Sequence, residues 1–314
     1  MHTAAAKISL TLLCLLVLSY LHLFFFQNQW QANHSLIFWE FHVPRFCSAL
    51  LAGSGLALSG LLMQNVFQNP MAGPYVLGVN SGASLLIAIV ILGASPWLMN
   101  QLTYVGAAMI GAFLAAGIMF IISTRVRNVQ SLLVIGLMFA SFTGAIESVL
   151  QTLAAPEQVK QLFIWNMGSL QQLSAAQAPW LAALVGIGIF GSLLLVKALN
   201  ALVIGEAQAR QLGVQVGLVR FFILLVTALL AGSITAYCGP IAFVGLAIPN
   251  LARAILKTQD HLPLILFTVL MGALFLLVVD TAILLLDPWV SLPINVLTAV
   301  LGAPYVAYLM LRRQ

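Results

Sequence analysis

Residues 262–286 read LPLILFTVLMGALFLLVVDTAILLL, twenty-five consecutive positions with a single formal charge, at Asp280. A helix of about 20 apolar residues crosses the roughly 30 Å hydrocarbon layer of a bilayer. This stretch is therefore predicted to span a membrane. The rest of the chain has the same character: 62% of its 314 residues are hydrophobic, 6% are charged, and mean hydropathy is +1.09. A water-soluble domain carries about a quarter charged residues, which this chain cannot supply as a surface. Lipid must cover most of its exterior. Alternating runs of about 10 residues, the mark of a membrane barrel, are absent, so the fold is read as all-α and polytopic.

Working outward from 262–286, similar apolar runs are predicted as spans at 8–26, 45–66, 75–92, 102–122, 132–153, 179–196, 218–238, 241–256 and 293–311. That makes about ten transmembrane helices. The run at 241–256 is short enough to be partly re-entrant. The first run lies behind Lys7 and is followed by Gln27-Asn28-Gln29-Trp30, with no small-x-small cleavage site, so it is kept as a span rather than a signal peptide. No linker or shift in composition divides the chain, and residues 1–314 read as one transmembrane domain.

Charge placement orients the bundle. With a cytoplasmic N-terminus, Lys7, Arg125, Arg127, Lys197, Arg210, Arg220, Arg253, Lys257, Arg312 and Arg313 fall inside, and only Arg45 and Lys160 fall outside. This bias follows the positive-inside rule, with both termini cytoplasmic. Trp30, Trp39, Trp97, Trp165 and Trp289 then lie near the outer interface. A net charge of +5 distributed in this way encodes topology and does not point to nucleic acid. Cys14, Cys47 and Cys238 are far apart and show no metal-binding spacing.

The longest inner connection, 198–217, contains its own helix signals. Gly205 precedes Glu206, whose charge suits a helix N-terminus; Glu206 and Arg210 are spaced i,i+4; Gly213 is placed as a C-terminal stop. This loop is either a helix that contacts a cytoplasmic partner or an ordinary solvated hairpin.

Six segments in order resemble the FecCD family, the iron–siderophore and cobalamin permeases of ABC importers. Val43-Pro44-Arg45 followed by GSGLALSGLLMQ at 53–64 is similar to the family's LPR…GaxLAxSGxxxQ segment. NPMAGPYVLGVNSGA at 69–83, WNMGSL at 165–170, GEAQARQLG at 205–213, GPIAFVGLAIPNLAR at 239–253 and LPINVLTAVLGAP at 292–304 resemble its other motifs. Departures are Asn250 for a usual His, Ala242 and Asn295 for usual Gly residues, Ser291 for a usual Glu, and His42 where many members have Arg.

The resemblance implies a type II importer fold in which two permease chains, identical or paralogous, surround a path. Two cytoplasmic ATPase subunits and a periplasmic substrate-binding protein would complete the machine in a bacterial inner membrane. The chain has no GxxxxGK[ST] loop, so ATP would be bound and hydrolysed by the partners; no cofactor or metal site is expected here, and the chain is not itself an enzyme. By the same resemblance Gly205, Glu206, Ala209, Arg210, Leu212 and Gly213 would enter a cleft on the ATPase. Arg45, with His42, would pair with acidic residues of the binding protein; the plainer reading of Arg45 is a helix-end cation among lipid headgroups. Asn128, Val129 and Gln130 are candidates for an inner gate, and Glu147 and Gly302 for the path, although Gly302 equally suits helix packing.

Ferric siderophore is the expected cargo, with haem, cobalamin or molybdate as alternatives. A proton-coupled secondary transporter is the rival mechanism, since Glu147 and Asp280 lie within spans. Both acids look isolated in the sequence, with no intramembrane Lys, Arg or His partner, which makes a poor proton relay.

Overall fold

A computed structural model of the chain describes residues 2–29, 38–93, 101–126, 129–287, 289 and 292–312. Among these residues all regular structure is helical. There are thirteen α-helices: α1 His2–Gln29, α2 Val43–Val66, α3 Val79–Gly93, α4 Gln101–Arg125, α5 Val129–Leu153, α6 Pro156–Asn166, α7 Ala178–Leu194, α8 Val196–Ile204, α9 Glu206–Gln211, α10 Val216–Cys238, α11 Val244–Leu256, α12 His261–Leu286 and α13 Ile294–Arg312. A π-helical turn, Phe38–His42, leads into α2, and a 3-10 turn, Pro74–Leu77, precedes α3.

Six stretches are long and apolar enough to cross a bilayer, and the bent pair α7–α8 makes a seventh. Three shorter apolar helices, α3, α11 and α13, occupy the remaining segments expected from the sequence. Helix α11 has thirteen residues, about 20 Å of rise and well short of a full crossing. The run expected at 241–256 is thus a short helix, as its length in the sequence indicated.

Helix α2 is the central element, packed against α7, α10, α11 and α12. Its composition explains its position. Ala49, Ala52, Gly53, Gly55, Ala57, Ser59 and Gly60 leave little beyond backbone on its surface, so neighbouring helices approach closely. A Cβ on Gly53 would collide with the backbone of Gly272 in α12, and one on Gly60 with the backbone of Gly245 in α11. Gly82 and Gly111 make the same kind of contact between α3 and α4. Without a hydrophobic driving force inside lipid, such close packing is a principal source of helix association.

Lys7 Nζ donates to Ile255 O at 2.8 Å, bringing the start of α1 to the end of α11. Trp39 and Trp289 are exposed, and Trp165 is buried. Trp165 packs behind the loop at Gly239, and a Cβ on that glycine would lie 2.6 Å from Trp165 O. Trp30 and Trp97 lie outside the described residues.

Candidate functional site

The loop at 198–217 forms two helices. Helix α8 leaves α7 at a 53° bend, and α9 follows after Gly205, whose φ of 124° lies in a region that favours glycine. The far end of α9 closes as a Schellman motif. Gly213 (φ 81°) donates to Arg210 O at 3.0 Å, and Val214 donates to Ala209 O at 3.0 Å.

Ala209 is fully buried against the bundle, while Arg210 and Leu212 face outward. The expected Glu206–Arg210 pair is present at 3.5 Å. A second, closer partner was not anticipated: Arg220 of α10 donates to Glu206 Oε1. One carboxylate therefore orders the projecting helix and ties it to a membrane helix.

Helix α8 is tied to the bundle in the same way. Asn200 Nδ2 donates to Asp260 Oδ1 at 3.0 Å, and Asn200 Oδ1 accepts from the His261 backbone N–H and from Nδ1, both at 2.8 Å. Across the imidazole, Asn65 Nδ2 lies 2.8 Å from Nε2. His261 thus bridges α8 to α2 at the start of α12. Gln68 Nε2 reaches Leu202 O at 3.4 Å, and Arg253 donates to Gln64 Oε1. Gln64, Asn65, Gln68, Leu202, Arg253 and His261 line a cavity of ≈320 Å³. Asn65, Asn200 and His261 escaped the sequence reading, because polar residues at span ends look like ordinary interfacial positions.

Deep in the bundle, three non-helical segments meet. Tyr75 donates its hydroxyl to Ile241 O and accepts from Ile241 N–H. Ser169 N–H donates to Cys238 O at 2.7 Å. Asn295 joins the same point: Oδ1 accepts from Ala242 N–H at 2.9 Å, and Nδ2 reaches Met167 O and Pro240 O at 3.0 and 2.8 Å. Irregular backbone within a membrane protein requires such internal partners. Phe243 adopts φ 67° at the entry to α11, and a Cβ on Gly302 would lie 2.7 Å from Phe243 Cβ. Gly302 therefore packs against this turn.

At the other end lies Arg45. It is only 8% exposed and forms a bidentate pair with Asp280: Nε lies 3.0 Å from both carboxylate oxygens, and Nη2 lies 2.8 Å from Oδ1. His22 Nε2 is 3.6 Å from the same carboxylate, and Nδ1 is 3.0 Å from Thr281 Oγ1. Asp280 is thus not isolated, as the sequence suggested. The partner lies 235 positions away, and an apolar surround forces the two charges together. His42 is half-buried at the end of the π-helical turn.

Glu147 is half-buried in α5, beside Ser84 of α3. Asn128 lies outside the described residues, as do the side chains of Val129 and Gln130, whose backbone opens α5. Among the described residues no group of three or more His, Cys, Asp or Glu side chains could hold a metal ion.

A multi-helical membrane bundle with a bent span leading into two short helices has the architecture of a type II importer permease. The comparisons with known proteins agree: residues 7–312 match the FecCD transport family, and the chain belongs to that family. It is 34% identical over 303 residues to the hemin transport permease HmuU of Yersinia pestis, covering 92% of this chain and 88% of that one. The Fe(3+) dicitrate permease FecD of Escherichia coli is 31% identical over 289 residues, covering 91% and 89%. A solved metal-chelate type ABC transporter in an inward-facing conformation superposes with a TM-score of 0.87 at 26% identity, covering 98% of this chain and 99% of that one. The protein is a multi-pass permease subunit of an ABC importer of the metal-chelate, haem and cobalamin type.

Proposed function

We propose that this permease carries a ferric siderophore across the bacterial inner membrane, receiving it from a periplasmic binding protein and drawing its energy from separate ATPase subunits. The observation that carries this reading is the family match across nearly the whole chain, joined to a helix pair built for contact at one end. The basic end of the bundle would lie in the cytoplasm by the positive-inside rule. There α9 presents Arg210 and Leu212 outward, a surface suited to an ATPase cleft.

Closure of the ATPases would move α8 and α9. The motion has three routes into the membrane: Glu206 to Arg220 on α10, Asn200 to Asp260 and His261 on α12, and Leu202 to Gln68 beyond α2. A rigid-body switch between two packings of a permease pair would then open the path to one side at a time. Gly302 and Asn295 hold the turn before α11 and are placed to take part. ATP is bound by the partners in this scheme, and the chain holds no cofactor of its own. The relatives' names support iron carried as a chelate, in haem or dicitrate form, and iron would pass here within its chelator.

The test is uptake into proteoliposomes containing the assembled transporter. Uptake is expected to persist after collapse of the proton gradient and to stop with a hydrolysis-deficient ATPase. Uptake without ATP hydrolysis would overturn the reading in favour of a proton-coupled carrier. Titrating the binding protein with ferric siderophores, haemin, cobalamin and molybdate identifies the cargo; tight binding of haemin, cobalamin or molybdate and not of siderophores would replace the siderophore assignment.

A further inference from the structure

Helices α2 and α12 run antiparallel and meet at three points in one register. At the end opposite α9, Arg45 is paired with Asp280. Near the middle, a Cβ on Gly53 would lie 2.2 Å from Gly272 O, and one on Gly272 would lie 2.2 Å from Gly53 O. At the end beside α8, Asn65 Nδ2 lies 2.8 Å from His261 Nε2. Arg45 and Asn65 are about 30 Å apart along the axis of α2, close to the thickness of the hydrocarbon layer. An ion pair, a backbone contact and an amide–imidazole bond thus fasten the two helices across the whole membrane. Sliding one along the other would break all three.

The third point also holds α8. The His261 backbone N–H can only donate, so the Asn200 atom that receives it is the amide oxygen. The same oxygen lies 2.8 Å from Nδ1, which requires the ring proton to be on Nδ1. In the neutral ring Nε2 is then an acceptor, and Asn65 Nδ2 is its donor. The other half of the Asn200 amide agrees, since Nδ2 donates to Asp260 Oδ1 at 3.0 Å. His261 is 2% exposed and takes its two ring nitrogens to two different helices. Beside this bridge α8 faces α2 across the ≈320 Å³ cavity, with Leu202 and Val203 on one wall and Gln64 and Gln68 on the other.

We infer that α2 and α12 move as one rigid body, and that His261 is the positioning residue that joins α8 to it. The inference rests on the import reading above. A displacement of α8 reaches the start of α12 through Asn200, and the three fastenings carry it to Arg45 and Asp280 at the far end without repacking the two helices against each other. The contact from Glu206 to Arg220 leads to another helix, α10. The two connections are therefore separable by mutation.

The test measures ATP hydrolysed per molecule carried by the complete transporter in proteoliposomes. The cargo is whichever of ferric siderophore, haemin or cobalamin its binding protein holds. Asn65→Leu and His261→Asn each cut the link to α2 and are expected to raise that ratio by about threefold, with ATPase assembly and melting temperature near those of the unaltered protein. His261→Gln is expected to keep the ratio close to its original value, because Oε1 can accept from Asn65 while the backbone N–H still reaches Asn200. Joining Asn65→Cys to His261→Cys with a short bismaleimide, in a background lacking Cys14 and Cys47, is expected to restore the ratio lost in the unjoined double variant. Unchanged ratios in both Asn65→Leu and His261→Asn would overturn the inference. So would uptake and hydrolysis falling in proportion, the mark of a purely structural role, or arrest of uptake by the cross-link, which would show that α2 and α12 must slide. Absence of ATP-driven uptake by the unaltered transporter would instead overturn the import reading.

Discussion

Arg45, Asp280 and His22 show how a single buried group sets the demands on its neighbours. A carboxylate in the middle of an apolar helix is costly alone and tolerable when a guanidinium meets it with two hydrogen bonds. Removing one partner leaves the other charged and buried, at a cost of roughly 3–5 kcal/mol. Asp280→Ala is therefore expected to lower the melting temperature of the purified protein sharply. The double change Arg45→Met with Asp280→Leu should recover most of that loss, because it leaves no unpaired charge.

Asn295 allows a second prediction at this scale. Asn295→Ala would leave Pro240 O, Met167 O and Ala242 N–H without a polar partner, with an expected loss of about 1–3 kcal/mol per unsatisfied group. Thermal unfolding in detergent checks it, and Asn295→Gln should not rescue, since the longer side chain cannot reproduce the geometry. The sequence flagged Asp280 as an intramembrane acid and Arg45 as a notable cation. It could not pair them, since the contact crosses two helices.

Helices were the level at which the sequence was most readable. Segment positions follow from hydrophobic length, and α9 follows from Gly205, Glu206 and Gly213, all of which act through neighbours within one helical turn. Gly213→Val is expected to loosen the end of α9, because a β-branched residue at φ 81° costs about 1–2 kcal/mol. Protease cleavage between 205 and 214 should rise accordingly.

The Glu206–Arg220 contact yields a functional expectation. Arg220→Ala should raise the ATP hydrolysed per molecule transported while permease and ATPase still assemble, because α9 keeps its own Glu206–Arg210 pair but loses its tie to α10. An unchanged stoichiometry would show that the tie does not transmit force. The break between α7 and α8 falls at Leu195, beside the predicted end of the span at 196, but the helical form of 196–204 depends on surrounding contacts.

For the molecule as a whole, the proposed orientation can be checked directly. In intact inner-membrane vesicles of known sidedness, an impermeant thiol reagent should label Glu157→Cys from the periplasmic side and Lys257→Cys from the cytoplasmic side. The reverse pattern would invert the assignment of both ends.

The sequence by itself determined what depends on composition and short range: lipid as solvent, helices as spanning elements, their approximate bounds, the caps of α9 and the order of family motifs. Tertiary structure alone decided what depends on contacts far apart in the chain. It placed α2 at the centre through close glycine contacts, buried Arg45 on Asp280, and connected α8 and α9 to α2, α10 and α12. The division has a physical cause. Transfer into lipid is a sum over local residues, whereas pairing a buried charge depends on which distant helix brings the opposite one within reach.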